Sequence, residues 1–514
     1  MQSSLSVNEK VKRTIALIIS SGYQLDPEGL VYLQNLAKDK KIEDWVKTVI
    51  SRLSNLEEKP LFITKKILAE NVDIALTTEN SDHKISSIGR PFRAYAKEIN
   101  SEIDALDDVP TMYSSPKKIN NFLELFKDRF NKIEKILKKR LDVRGAVTIN
   151  VALKASQKSK VKIIGIVMEK RESLKNIFIR IEDYEASAMV LIPSNVRREV
   201  FETAQRIFLD QVVCVEAIKG RNELLIASNL INPDIPEKKH NTATDQVYAA
   251  LLSDLHVGSK EFLEEAFQKF IQWLKGKNGN HKQKEIAGRV KYIIIAGDIV
   301  DGIGIYPNQE KDLNIKNVYE QYRVAAKLIE QIPEYIEVII SPGNHDATRQ
   351  ALPQPKILKE YAEPIYEARN VIMVRNPAKM RLHGVNFLVY HGRSLDDVIR
   401  VIPEVTYQNL EHSTHIAMRQ LLKVRHLAPT YGNKTPIAPL PNDALVIDTP
   451  PDIFHAGHLH VIGYEMYRGT LIINSGAWQS KTPFQERMGL TPTPGIASIV
   501  DLSTFNVMPI SFLS

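Results

Sequence analysis

Five short stretches of this sequence carry side chains that can hold metal ions and move protons. They are Ser253-Asp254-Leu255-His256, Gly297-Asp298-Ile299-Val300-Asp301, Gly343-Asn344-His345-Asp346, His391-Gly392-Arg393 and His455-Ala456-Gly457-His458-Leu459-His460. Taken singly, each has an ordinary explanation. Asp-x-His arises by chance, Gly-Asp suits a strand-to-loop turn, and Asn or Asp caps backbone groups in polar turns. His458 and His460 are a stronger signal, because alternation in an extended segment puts both imidazoles on one side. Joint occurrence is what argues against coincidence, since every stretch follows an apolar run and delivers Asp, Asn or His. Imidazoles and carboxylates without a thiolate suit divalent manganese, iron or zinc. There are more such groups than one ion needs, so two ions sharing a carboxylate is the economical arrangement. A pair of that kind, roughly 3.5–4 Å apart, stabilises both the attacking and the leaving oxygen of an in-line displacement at phosphorus.

The runs that deliver these groups read as strands. Residues 248–252, 292–296, 336–340, 387–390 and 453–454 are apolar and rich in β-branched or aromatic types, and each ends in polar residues. Amphipathic helices are expected between them at 261–275, through Phe262, Ala266, Phe267, Phe270 and Leu274, and at 319–331. Strands alternating with helices describe an α/β domain over residues 241–514 whose chemistry lies at the strand C-termini.

A chain of 514 residues is too long for one hydrophobic core. With 43% hydrophobic and 25% charged residues the composition is that of a soluble globular protein. No apolar stretch is long enough to span a bilayer, and residues 1–8 are polar rather than signal-like, so no membrane role and a cytoplasmic location are expected. The one cysteine, Cys214, lies in an apolar run and reads as a core residue. A net charge of +7 with a pI near 9.0 is weak support for a polyanionic partner. Residues 1–57 read as a small helical domain, with Val11, Ile15, Ile18, Ile19, Leu30, Leu33, Leu36, Trp45, Val46, Val49, Ile50 and Leu53 at helical spacing. Residues 58–116 lose periodicity and read as a linker, partly disordered. Residues 117–240 open on a helix with the stripe Phe122, Phe126, Phe130, Ile133 and Leu137, which should pack on the next domain. Its basic flank (Lys127, Arg129, Lys132, Lys135, Lys138 and Lys139) reads as a solvated face. Period-two patterning then gives five strands, with a helix at 194–208 before the fourth, which suits a small all-β barrel of the oligonucleotide-binding type. Lys154, Lys158, Lys160 and Lys162 could touch a phosphate backbone, but no run of aromatics offers a stacking platform there, and a protein-docking role fits equally well.

Asp-x-His, Gly-Asp-x-x-Asp, Gly-Asn-His-Asp, a later His and Gly-His-x-His resemble the five motifs of the calcineurin-like metallophosphoesterases. The resemblance implies a two-sheet β-sandwich flanked by helices. It also implies that Asp254, His256, Asp298 and His460 hold one ion, and that Asp298, Asn344, His391 and His458 hold the other, with Asp298 as the bridge. Asp298 and His345 would then be the catalytic residues, His345 assisting beside the leaving oxygen, and Arg393 and Arg349 the candidates for steadying a substrate phosphate. Manganese is the first choice of ion, with iron, zinc and magnesium as alternatives.

Residues 343–355, Tyr390-His391-Gly392-Arg393-Ser394-Leu395-Asp396-Asp397, Arg425-His426-Leu427-Ala428-Pro429-Thr430-Tyr431-Gly432 and Asn474-Ser475-Gly476-Ala477-Trp478-Gln479 are similar to the small subunits of archaeal family D DNA polymerases. That resemblance covers roughly the last four hundred residues. It implies a 3′→5′ exodeoxyribonuclease that proofreads at single-stranded 3′ ends and primer-template junctions. It further implies a large catalytic subunit as partner, the two together being required for DNA-directed DNA polymerase activity. A sliding clamp is a further partner to consider, although the sequence shows no convincing clamp-binding peptide. Two alternatives stay open: a non-catalytic scaffold subunit, and a repair nuclease of the same superfamily, which the barrel ahead of the α/β domain disfavours.

Overall fold

The computed structural model describes residues 92–105 and 119–513, apart from 174 and 370, together with shorter stretches between 14 and 68. The chain divides into two compact units, residues 1–89 and 90–514. In the first, the helix Ile42–Ser54 turns Val46, Val49 and Leu53 onto a core with Ile18, Tyr23, Leu33, Ile63 and Leu68. Two short strands, β1 (Gln24–Leu25) and β2 (Phe62–Ile63), pair in parallel. The helical expectation therefore needs two amendments, a strand pair and a core that continues past residue 57 through Ile63 and Leu68. Val11, Ile19, Leu30 and Leu36, and most of the expected linker, lie outside the described residues.

The linker expectation fails at its described C-terminal part. Residues Tyr95–Glu98 form a 3-10 turn, and β3 (Ile103–Ala105) is an edge strand hydrogen-bonded to a strand near residue 380. Three residues are too few to show a period, and the pairing partner lies far along the chain. The helix Ile119–Lys138 packs Phe130, Ile133 and Leu137 on Ile164, Ile166, Val212 and Cys214, as its stripe requires. One member of its basic flank behaves otherwise. Arg129 is buried, and its guanidinium bonds Asp443 (Nε to Oδ2, 2.9 Å) and the Pro429 carbonyl (2.7 Å). A charge enters the interior when a fixed partner waits there, and neither partner is visible from the helix pattern.

Strands β4 (Lys160–Glu172), β5 (Asn176–Glu182), β6 (Ser187–Pro193), β7 (Val212–Lys219) and β8 (Leu225–Ile231) close into a barrel of order β4-β5-β6-β8-β7. Ile177, Ile179 and Ile181 of β5, and Ala188, Val190 and Ile192 of β6, all face its interior, as two-residue alternation demands. The helix Arg198–Gln205, between the third and fourth strands, adds Val200 and Ala204 to the same core. Cys214 is free and buried, and burial pushes its thiol up to about 12. Of the lysines leading into β4, Lys162 is tied to Glu216 at 2.8 Å, while Lys154, Lys158 and Lys160 are exposed.

The rest of the chain builds two six-stranded sheets. In the first, β9 (Tyr248–Leu252), β10 (Val290–Ala296), β11 (Glu337–Ser341) and β12 (Val371–Met373) run parallel. The second holds β13 (Ala378–Leu382), β14 (Val385–Tyr390), β15 (Ile453–Ala456), β16 (Gly463–Tyr467) and β17 (Thr470–Asn474), with β3 at its edge. Its β14, β15 and β17 are parallel, β17 lying beside β15. Antiparallel β18 (Ile496–Asp501) and β19 (Val507–Ser511) complete the first sheet beyond β9.

Along β10, Tyr292, Ile294 and Ala296 join Met380, Phe387, Val389, Ile453 and Ile473 of the second sheet in one core, so the two sheets face each other. Ile293 and Ile295 point the other way, into a core shared with Phe267, Phe270, Tyr322 and Ile329 of the helices Glu264–Leu274 and Val318–Glu330. The helix Leu410–Val424 covers the outer face of the second sheet through Ala417, Leu421 and Leu422. Burial on both faces explains why these strands read as continuous apolar runs, each enclosed Ile or Leu contributing roughly 1.5–3 kcal/mol. Among the described residues, no helix is long and apolar enough to cross a membrane.

Candidate metal centre

The five chemical stretches all sit where a parallel strand ends. From the first sheet, β9 leads to Asp254 and His256, β10 to Asp298, and β11 to Asn344 and His345; from the second, β14 leads to His391 and β15 to His458 and His460. The backbone turns sharply at these points. Asp254, His256, Asp298, His458 and His460 all have left-handed φ, between 52° and 70°. Such conformations cost about 1–3 kcal/mol each and persist only where the surroundings over-determine them. Here they are pinned by hydrogen bonds from Asp254 N to Gly297 O (2.9 Å), from His256 N to Asp298 O (3.0 Å) and from His458 N to the Asp254 carboxylate (2.9 Å).

One expectation is corrected by this geometry. His458-Leu459-His460 is not extended, since both histidines are left-handed, and the two imidazoles go to different groups. His460 joins Asp254 and His256, whereas His458 joins Asp298 and His391; within each group the candidate ligand atoms lie within 4.8 Å of one another. In the first group the Nε2 atoms of His256 and His460 are 3.2 Å apart, and His460 Nε2 is 3.5 Å from Asp254 Oδ1. In the second, His391 Nε2 is 3.0 Å from Asn344 Oδ1 and 3.2 Å from Asp298 Oδ2. Asp298 Oδ2 is also 3.8 Å from His256 Nε2, so this carboxylate lies between the groups.

These residues fit a pair of divalent cations. Asp254 Oδ1 is buried with no hydrogen-bond partner, although an ionised carboxylate oxygen inside a protein needs one. Burial works against its charge, but the His460 imidazole overrides it and holds the carboxyl at about 2. Burial opposes ionisation of Asp298 as well, and His391 and His345 still keep it well below the usual carboxylate range. The donors are oxygen and nitrogen throughout, the chemistry of manganese, iron, zinc or magnesium rather than of a thiophilic ion.

A surrounding layer orients the imidazoles. Asp301 Oδ1 accepts from His256 Nδ1 at 2.9 Å, and Asp301 is itself held by the side-chain amides of Gln309 (3.0 Å) and Gln479 (3.3 Å). The Ala296 carbonyl accepts from His391 Nδ1 at 2.8 Å. With Nδ1 engaged in both rings, Nε2 faces the centre, and its lone pair is free for an ion once that nitrogen carries no proton. Asp396 stands 3.5 Å from His458 Nε2 and is fixed by the Tyr407 hydroxyl at 2.8 Å. Gln485 lies 2.8 Å from His460 Nδ1. Asp346 accepts from the amides of Gly343 (2.8 Å) and Ile299 (3.2 Å), and burial, then the neighbouring Asp298 charge, pushes its carboxyl up to about 7. Asp301, Asp346 and Asp396 lie inside the sequence motifs, where sequence reasoning gives them no role. A signal existed for them, an acid close behind a candidate ligand: Asp301 behind Asp298, Asp346 behind Asn344 and Asp396 behind His391. None existed for Gln309 or Gln485, and Gln479 was marked only by its place in a stretch similar to the polymerase small subunits.

His345 stands outside these two groups and forms a third possible one with His256 and Asp301. Its Nδ1 bonds the Asp301 carbonyl at 2.7 Å, its ring meets the His256 ring edge-on at 4.6 Å, and at 16% exposure its side chain reaches the opening of the centre. Arg393 bonds the carbonyl and side-chain oxygens of Gln350 at 3.1 and 2.7 Å, within electrostatic reach of Asp298. Arg349 turns back on its own loop, bonding the carbonyls of Ala351 (3.2 Å) and Pro353.

Comparison with known proteins adds an independent line. Residues 249–461 match the family model for the B subunits of DNA polymerases alpha and epsilon. The DNA polymerase II small subunit of Pyrococcus furiosus is 40% identical over 427 residues, which are 80% of this chain and 69% of that protein. That of Methanocaldococcus jannaschii is 38% identical over 81% of this chain and 70% of its own length. That of Archaeoglobus fulgidus is 37% identical over 484 residues, 93% of each chain. An archaeal phosphodiesterase structure aligns with 51% of this chain and 99% of its own at 15% identity, with a TM-score of 0.26, too low to carry an argument. Identity of this order sustained over most of both chains places the protein in the family of archaeal DNA polymerase II small subunits.

Proposed function

We propose that this chain is the exonuclease subunit of a family D replicative polymerase, working with a large catalytic subunit in DNA replication. In this reading it removes nucleotides from DNA 3′ ends in the 3′→5′ direction. The convergence of Asp254, His256, Asp298, Asn344, His391, His458 and His460 into two groups sharing Asp298 is the observation that carries it. Two facing sheets with helices outside support a calcineurin-like metallophosphoesterase fold, and the strand order β4-β5-β6-β8-β7 supports an OB-type barrel. A cytoplasmic place of action goes with replication.

Asp254, His256, Asp298 and His460 would hold one divalent ion, and Asp298, Asn344, His391 and His458 the other, with manganese as the ion we favour. The pair supplies Lewis-acid stabilisation of the charge that builds on phosphorus oxygens during displacement. Asp298, charged and buried between the groups, sets their spacing. Asp301 and the Ala296 carbonyl fix the tautomers of His256 and His391, so that both rings meet the centre without rearrangement. His345, its Nδ1–H given to the Asp301 carbonyl, turns Nε2 outward to supply a proton to the departing 3′ oxygen. Arg393 steadies the phosphate from the rim. One water is consumed, its oxygen bonding phosphorus as the P–O3′ bond breaks, so the products are a deoxynucleoside 5′-monophosphate and a strand shorter by one residue; a mismatched end enters more readily because it costs less to unpair.

The test is release of nucleotides from a 3′-labelled single strand by the two-subunit complex in manganese. Asp298→Ala should abolish release, and His345→Ala should lower it about 10²–10⁴-fold, with both variants still copurifying with the large subunit. Parental rates in the Asp298→Ala complex would refute the site. A parental complex that binds DNA and releases nothing with any divalent ion would leave the scaffold role.

A further inference from the structure

The geometry points to a nucleobase subsite beside the metal centre, an inference that rests on the 3′-end reading above. A cavity of about 370 Å³ opens next to His345, walled by Ile303, Val318, Leu358 and Tyr361. That volume lies within the usual range for small-ligand pockets, roughly 300–1,000 Å³. His345 and Asp346 line it directly, so it is continuous with the mouth of the centre. Its wall is apolar yet open to solvent, with Ile303 47% and Leu358 39% exposed. Tyr361 extends the wall as a flat ring stacked on Tyr319, at 5.5 Å between centroids and 23° between planes. The two tyrosines stand on the helices Lys359–Ala368 and Val318–Glu330, so helices rather than a loop hold the platform.

Of the polar side chains that line it, Gln350 and Thr348 are already engaged, and His345 is assigned above to the departing oxygen. Gln350 Nε2 donates to the Asn344 carbonyl at 2.8 Å, its Oε1 accepts from Arg393, and the Thr348 hydroxyl donates to the Pro355 carbonyl at 3.2 Å. A pocket so lined grips by stacking and does not read base edges. This is the requirement of a surface that must accept any base next to a scissile phosphate, since every base has a π-face. The occupant is one of the two bases flanking that phosphate. Tyr361 acts through binding and leaves the bond-breaking step to the residues around Asp298.

Two measurements on the two-subunit complex test this. In the first, 2-aminopurine replaces the terminal or the penultimate base of a single strand, and binding is followed with EDTA present so that nothing is cleaved. Stacking should lower its fluorescence, and Tyr361→Ala should restore it while Tyr361→Phe does not. In the second, cleavage in manganese is compared on strands lacking the base at either position. Losing the stacked base should lower kcat/KM of the parental complex about 5- to 150-fold, and Tyr361→Ala should add no further loss on that strand. The abasic strand tests the parental protein, so the inference stays exposed even if the alanine variant folds poorly. Unquenched 2-aminopurine at both positions, or cleavage indifferent to both bases and to Tyr361, overturns the subsite while leaving the exonuclease reading intact. Quenching without release of any nucleotide overturns the exonuclease reading while the subsite stands.

Discussion

Gly343→Ala is the sharpest single test of the idea that Asp298 is shared between two ions. A β-carbon at residue 343 would lie 2.1 Å from Asp298 Oδ1, 2.6 Å from its backbone nitrogen and 2.8 Å from its Cγ. The nitrogen cannot swing aside, because the Asp298 carbonyl accepts from His256 N at 3.0 Å and its Oδ1 accepts from His345 N at 2.8 Å. Ordinary contact would need about 1 Å of movement between the ends of β10 and β11. Overpacking of this kind costs about 1–3 kcal/mol, read as a shift in a denaturant midpoint. More telling is the metal. Disturbing the support of a ligand typically costs 10–100-fold in affinity, so manganese binding by calorimetry should weaken by about that factor, and cleavage should fall about 100-fold. Gly432→Ala serves as control. Gly432 has φ of +81° and nothing within 4 Å of an added β-carbon, so the substitution strains only the backbone. It should cost about 1 kcal/mol with metal affinity unchanged. If Gly343→Ala binds manganese as tightly as the parent, Asp298 does not sit between the ions and the reasoning is refuted.

Two further outcomes follow from buried charges. Arg129→Ala removes one partner of an almost fully enclosed pair and leaves the Asp443 carboxylate with His426 and the Leu445 amide, so unfolding should cost about 3–5 kcal/mol less. Burial resists ionisation of Asp443, but His426 and Arg129 hold its carboxyl well below the usual range. Its stabilising contribution is therefore present above the unfolded value of about 3.9 and lost as pH falls toward the folded one. Denaturation series should show the acid limb of the variant moving to higher pH, and a change within about 0.5 kcal/mol would refute the pairing. For His391, burial disfavours the charged ring, yet Asp298 outweighs it and holds the pKa up at about 9. The metal-free chain then gains stability from this proton below the unfolded value of about 6.5 and loses it as pH rises through 9. Loading manganese at pH 7.5 should release about one proton from that ring, measured by calorimetry in buffers of different ionisation enthalpy. No net release would refute the coupling.

The strands were legible because β9, β10, β11, β14 and β15 are buried on both faces, which writes them as unbroken apolar runs ending in polar residues. The helices Glu264–Leu274 and Val318–Glu330 were legible from a period that survives any environment. What escaped was pairing between distant segments. β3 is three residues long and gains meaning only beside β13; Arg129 looks like a surface cation until Asp443 and His426 close over it. His458-Leu459-His460 looked extended, and the chain bends at both histidines because five loops crowd one point.

By itself the sequence determined which side chains could hold an ion, and that each follows the end of a strand, since ligand type and apolar periodicity are local properties. Only the tertiary structure decided which of them share a site, because the distances are set by two sheets packing face to face. Asp298 became the meeting point because β10 lies between β9 and β11 while β14 lies in the sheet opposite. Tertiary structure likewise brought Ile303, Val318, Leu358 and Tyr361, which lie outside every motif, to the cavity beside His345.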